Sequence, residues 1–195
     1  MYRVGITGGI GSGKSFVCSI LEKFGIPVYY ADSQARRLMN TDSRLRSAIK
    51  EAFGEEIYRN GELDRQEMAL RVFGEPGLLE SINQLVHPVV REDFERWTEG
   101  QEGVPYVVEE AAILFESGAV RNMNMSVLIY APIPLRIQRV MDRDKVSRLD
   151  VEKRISRQMD EEEKKKLADR VIYNDEKNLL LPQIVGLHED ILIRI

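Results

Sequence analysis

The chain has 195 residues, a formal net charge of −4, and 43% hydrophobic and 31% charged residues. At about 100–200 residues per domain it is one domain with room for an inserted lobe, too apolar for a disordered chain and too charged for a membrane protein. The single cysteine, Cys18, excludes an intramolecular disulfide and a thiolate zinc site, and the acidic balance argues against a nucleic-acid partner. No window approaches the ~20 apolar residues of a membrane span. Met1 to Thr7 meets glycines too soon for a secretion signal, so a cytosolic location is expected. Neither charge nor apolar content distinguishes a monomer from a small oligomer.

Tyr2 to Thr7 predicts a strand and Gly8 to Gly13 a turn. From Lys14 onward, Phe16, Val17, Ile20, Leu21 and Phe24 mark one face of a helix that Gly25 and Pro27 stop. Val28 to Tyr30 is a short second strand leading to Asp32, and Ser33 is a candidate cap for the next helix. Residues from about 36 to 100 read as helical, with little strand character. Leu45, Ile49, Ala52 and Phe53 precede a stop at Gly54, and Asn60-Gly61 marks a turn. Met68, Val72 and Phe73 precede a Gly-Glu-Pro-Gly break at 74–77, and the segment from Leu78 to Val86 is interrupted at Pro88. This is a helical lobe inserted into a core of about residues 1–35 and 104–195.

Val104 to Glu109 and Ser126 to Tyr130 read as strands, followed by helices over about 134–144 and 148–166. Asp160, Glu161 and Glu162 stand four residues before Lys164, Lys165 and Lys166, the pattern of a solvated helix face. Val171 to Tyr173 is a last strand, and a helix from about 178 closes the chain. Strands alternating with helices predict a three-layer α/β fold with a five-stranded parallel sheet.

The residues Gly8-Gly9-Ile10-Gly11-Ser12-Gly13-Lys14-Ser15 fit G-x-x-x-x-G-K-[ST] at every defined position, between a predicted strand and a predicted helix. This is the phosphate loop, or P-loop, of nucleotide-binding proteins. Backbone N–H groups turned toward phosphate need positive φ angles, which glycine adopts cheaply, and the helix start adds a favourable dipole end. Lys14 is placed to reach the β and γ phosphates, and Ser15 to offer its hydroxyl to Mg²⁺. D-x-x-G and N-K-x-D are both missing, which argues against a GTPase. The nearest approach to an apolar run ending in Asp is Val107-Val108-Glu109-Glu110, so a small-molecule kinase fits better than a motor ATPase.

Asp32 follows the second strand, where ligands of parallel sheets bind, and is a candidate base. Arg136, Arg139 and Arg143 share a helix face and offer planar donors to a transferring phosphoryl group. His87, alone beside an apolar stretch, reads as structural. The residues alone leave two further readings open: a kinase of a nucleoside, nucleotide or small alcohol, and a nucleotide-binding module without turnover.

Over nearly its whole length the chain resembles the dephospho-coenzyme A kinase family. The likeness rests on Gly5 to Ser15, Ala31-Asp32 with Ala35-Arg36, Gly61 to Arg65, Val72-Phe73, His87-Pro88-Val89 and Leu114-Phe115-Glu116. It continues through Gln138-Arg139, Arg143-Asp144, Arg157-Gln158 and Ala168-Asp169 with Asn174. The resemblance implies transfer of phosphate from ATP, with Mg²⁺, to the ribose 3′-hydroxyl of dephospho-CoA, the last step of coenzyme A synthesis. It implies Asp32 as base, Lys14 and Arg139 with Arg143 around the transferring group, and Gly8 through Phe16 as the nucleotide cradle. It assigns the helical lobe, with Arg65 and His87, to the acceptor, and the segment of about 134–166 to a lid. Three positions depart from the pattern: Phe16 for a usual Thr, Tyr30 for a frequent acidic residue, and Ala112 for a frequent Pro.

Overall fold

The computed structural model describes residues 1–195, and side chains at every position but 73, 74 and 76. The Val72-Phe73 marker and the Gly-Glu-Pro-Gly break lie in part outside the described residues. The chain divides into two compact units, Met1–Tyr30 with Gly100–Ile195, and Ala31–Glu99.

In chain order the elements are β1 (Tyr2–Thr7), α1 (Lys14–Lys23), β2 (Val28–Tyr30), α2 (Ala31–Thr41), α3 (Ser43–Phe53), β3 (Tyr58–Arg59), β4 (Glu62–Leu63), α4 (Arg65–Gly74) and α5 (Pro76–Glu99). Then follow β5 (Tyr106–Glu110), β6 (Met125–Tyr130), α6 (Ile133–Asp144), α7 (Arg148–Ile155), α8 (Glu161–Leu167), β7 (Arg170–Tyr173) and α9 (Leu180–Arg194).

The first unit is built on a five-stranded sheet of order β2-β5-β1-β6-β7, with every pairing parallel. Such strands are covered on both faces and read as apolar runs. All five residues of β5, and all of β6 except Tyr130, are buried. Val4, Ile6, Val108, Val127 and Ile129 of the sheet pack with Val17 and Leu21 of α1 and Ile184, Leu187 and Ile191 of α9. A second apolar cluster joins α6 to α7 through Ile137, Val140 and Val151, with Ile10 of the phosphate loop against it. β1 lies at the centre of the sheet, so its carboxyl end at Thr7 delivers the phosphate loop to the position where parallel sheets bind ligands.

The second unit is helical apart from the β3–β4 hairpin, which the sequence reading missed because each strand has only two residues. Its turn is Asn60-Gly61, both at positive φ (51° and 85°), the geometry a two-residue hairpin needs. Asp42 and Asp64 cap α3 and α4 by accepting backbone N–H groups of Leu45, and of Gln66 and Glu67.

Three expectations are corrected. Ser33 is no cap, because α2 begins at Ala31 directly after β2. α5 runs unbroken through Pro88: Ile82, Val86, Val90 and Phe94 form a buried stripe across it, and that burial outweighs one lost backbone hydrogen bond on the exposed side. The helix expected over 148–166 is two helices, because Asp160 caps a new start by accepting the N–H groups of Glu162 and Glu163. No helix among the described residues is long and apolar enough to cross a membrane.

Candidate active site

The loop Gly8 to Gly13 joins β1 to α1. Gly11 sits at φ 81°, and a Cβ there would fall 2.5 Å from the Arg136 carbonyl oxygen, so the position admits only glycine. Gly13 precedes α1 in the left-handed region, and no side chain caps the helix. No acidic residue stands in its first turn. The first amides of α1 are therefore left for an external anion, at the end where the helix dipole favours one. Lys14 opens the helix and is buried; its ammonium donates to the Gly8 carbonyl at 2.8 Å and lies 3.6 Å from the Glu110 carboxylate. Glu110 ends β5 and pairs in register with Ile6 of β1, which puts a carboxylate beside the loop's entry. Ser15 and Phe16 are exposed on the first turn of α1.

The other side of the loop is held by side chains from far along the chain. The Gly9 N–H donates to Glu161 Oε1 at 2.7 Å, and the Ile10 N–H to Gln158 Oε1 at 2.9 Å. Arg136 Nε donates to the Ile10 carbonyl at 2.9 Å, and its guanidinium stands 3.6 Å from Glu161. Asn174 Nδ2 donates to the Ser12 carbonyl at 2.8 Å, and Arg139 donates to the Asn174 carbonyl at 3.1 Å. Burial pushes the Glu161 carboxyl up and the Arg136 guanidinium down from their ordinary values, and each charge partly offsets the other's shift.

The acidic-basic run of α8 is therefore not a wholly solvated face: Glu161 and Lys164 are buried at 6% and 0% exposure. Lys164 donates to the Ala112 carbonyl at 2.9 Å and pairs with Glu116 at 2.9 Å, while Glu116 also accepts the Met159 N–H at 3.0 Å. This anchors residues 156–160, and with them Gln158, against the loop. Asp169 accepts both the N–H and the hydroxyl of Ser126, each at 2.7 Å, and ties β7 to β6 just ahead of Asn174. Those bonds hold its carboxyl below the usual range.

The family description "Dephospho-CoA kinase" matches residues 2–179. The chain belongs to the dephospho-CoA kinase family. Two curated relatives that carry this name come from Salinibacter ruber, 44% identical over 90% of this chain and 89% of its own length, and Bacteroides fragilis, 38% identical over 95% and 90%. Among solved structures, TT1252 from Thermus thermophilus superposes with a TM-score of 0.84 at 34% identity, covering 100% of this chain and 97% of its own. The dephospho-CoA kinase from Campylobacter jejuni gives 0.69 at 25% identity, covering 97% and 96%. Shikimate kinase from Acinetobacter baumannii, at 16% identity and 0.57, covers 100% of this chain and 94% of its own and shares the fold. The architecture is that of P-loop kinases.

Seen as a dephospho-CoA kinase, the chain distributes its expected site residues unevenly. Gly8 to Phe16 run as one stretch from the loop into the first turn of α1, with Lys14 buried within it. Of the arginines on α6, Arg136 is buried under the loop, Arg139 reaches Asn174 and Glu176, and Arg143 is exposed and bonded to Asp144 at 2.7 Å. One helix face thus serves three different partners. Asp32, exposed in the first turn of α2, Arg65, exposed at the start of α4, and His87, half-buried on α5, belong to the helical unit. Burial, with Arg91 nearby, holds His87 below the ordinary imidazole value. Glu110 and Glu161 had no site role in the sequence reading, and Glu116 and Gln158 entered it only as markers. Only the strand order reveals that Glu110 ends the strand next to β1.

Among the described residues no group of three or more His, Cys, Asp or Glu side chains could hold a metal by itself. The Ser15 hydroxyl and the Glu110 carboxylate are hard oxygen donors beside the loop, a set that fits Mg²⁺, which takes few protein ligands when phosphates supply the rest.

Proposed function

We propose that this protein is a cytosolic kinase that transfers the γ-phosphoryl group of ATP to the ribose 3′-hydroxyl of dephospho-CoA. The products are CoA and ADP, and the reaction closes coenzyme A synthesis. Membership of the family over residues 2–179 is the observation that carries this reading. The loop geometry agrees with it: an uncapped helix start with a buried ammonium beside it is built for a polyphosphate.

Phosphoryl transfer relies on positioning and on neutralising charge. Lys14, held by Gly8 and Glu110, meets the β and γ phosphates and stabilises charge as it moves toward the β–γ bridging oxygen. Ser15 with Glu110 would hold Mg²⁺, which would supply further positive charge to offset that of the polyphosphate. Asp32, two residues beyond the end of β2, accepts the proton of the attacking hydroxyl. Arg139 stabilises the transferring group, with Arg143 as a second donor once it leaves Asp144. Arg65 and His87 contribute to the acceptor's seat in the helical lobe, and the segment of about 134–166 acts as a lid.

The test is ADP release in a coupled assay with Mg-ATP, with dephospho-CoA, adenosine, AMP, pantothenate or shikimate as acceptor. A turnover of about 1–100 per second with dephospho-CoA alone is expected. No acceleration by dephospho-CoA would overturn the reading.

A further inference from the structure

We infer that Arg136 and Glu161 form a positioning pair that holds the phosphate loop in its ATP-binding shape. The inference rests on the reading of this loop as the ATP seat, and it concerns neither the loop's own residues nor Arg139 and Arg143.

Glu161 accepts the N–H of Gly9, and Arg136 donates to the carbonyl of Ile10, so the two side chains grip the peptide units on either side of the Gly9–Ile10 peptide. The Arg136 backbone carbonyl crowds Gly11 as well. Three consecutive loop residues are thus fixed by one helix and one capped helix start. The amides further along, at the start of α1, stay open to phosphate. A cradle that already has its shape loses less ordering entropy when ATP arrives.

The pair is costly to keep. Arg136 is 1% exposed and Glu161 6%, and Glu161 Oε2 is buried with no hydrogen-bond partner. Buried ion pairs of this kind seldom add stability over apolar residues of similar size, but the loss of one partner leaves a charge stranded. Here the two charges hold loop atoms, so the expected benefit appears in ATP binding.

The test compares four proteins: wild type, Arg136→Met, Glu161→Gln and the double variant. Glu161→Gln keeps an oxygen for Gly9 and strands the Arg136 charge. Arg136→Met strands the Glu161 charge and frees the Ile10 carbonyl. The double variant carries no stranded charge. Mg-ATP binding is measured by calorimetry without acceptor, followed by kcat, KM for dephospho-CoA and Tm. Each single variant should weaken ATP binding about tenfold. The double should recover Tm, because no charge is stranded, but should bind ATP no better than Arg136→Met, because the Ile10 carbonyl is still unheld. The KM for dephospho-CoA should not move.

Single variants that bind ATP like wild type would overturn the proposal. So would ATP affinity that falls and recovers in step with Tm across the four proteins, the outcome of a merely structural role. If Arg136→Met does not fold, Glu161→Gln decides alone: weaker ATP binding at a temperature where the variant is folded, with unchanged acceptor KM, supports the pair, and unchanged ATP binding refutes it. A wild type that binds ATP but does not phosphorylate dephospho-CoA would refute the acceptor assignment and leave this comparison intact.

Discussion

Replacing Glu116 by alanine should cost the fold about 3 kcal/mol. Lys164 is fully buried, and its ammonium is bonded to the Glu116 carboxylate and the Ala112 carbonyl, each at 2.9 Å. Removing one partner of a buried ion pair costs about 3–5 kcal/mol. The Glu116 side chain keeps 22% exposure, so water partly replaces the lost carboxylate and the low end of that range applies. At about 2–4 °C per kcal/mol for a chain of this size, Tm should fall by roughly 6–12 °C. Glu116→Gln still offers an oxygen to the Met159 N–H and should lie between wild type and alanine. Lys164→Met removes the stranded charge, so Glu116→Gln with Lys164→Met should recover most of the loss. Far-UV circular dichroism melts of the five proteins at neutral pH measure this. A Glu116→Ala Tm within about 2 °C of wild type would refute the reasoning. Glu116→Gln and Lys164→Met effects that simply add in the double variant would do the same, since a coupled pair must not be additive.

Gly11→Ala should abolish measurable ATP binding and lower Tm, because the new Cβ would meet the Arg136 carbonyl at 2.5 Å and strain a residue at φ 81°; calorimetric titration with Mg-ATP and a thermal melt check it. Asp32→Asn should lower kcat by about 10²–10⁴ with ATP affinity unchanged, as expected for loss of a general base; near-normal turnover would remove Asp32 from the mechanism. His87 has a depressed folded value, so the folded state favours the neutral ring and the unfolded state binds the proton more readily. Stability should hold above the ordinary value of 6.5 and decline as pH falls below it toward the folded value. His87→Asn should flatten the Tm profile across that window.

The strands and the phosphate loop were legible because their causes are local. Short apolar runs bounded by Gly and Pro mark β1, β2, β5, β6 and β7 to within two residues, and the glycine spacing of the loop states its own backbone requirement. The sequence misled where a distant contact outweighed a local preference. Pro88 should interrupt a helix, but the buried stripe from Ile82 to Phe94 crosses it. The run of Asp160 to Lys166 has the spacing of solvent-facing ion pairs, but Glu161 and Lys164 find partners at Gly9 and Glu116, 152 and 48 residues away. Nothing in a one-dimensional pattern separates a lysine that faces water from one that faces a carboxylate on a distant turn.

The same logic explains why the family markers are scattered. Glu116, Gln158, Asp169 and Asn174 lie on four different segments, and each acts on the phosphate loop or on a segment that touches it. Gln158 and Asn174 bond loop atoms directly, Glu116 fixes the segment carrying Gln158, and Asp169 fixes the strand that leads to Asn174. A loop with glycine at most of its positions has little stiffness of its own. Its shape must therefore come from outside, and in this chain it comes from residues more than a hundred positions downstream. ATP binding should then require the carboxyl-terminal third of the chain to be folded. Variants that loosen residues 156–167 without touching the loop should lose ATP affinity before they lose the sheet.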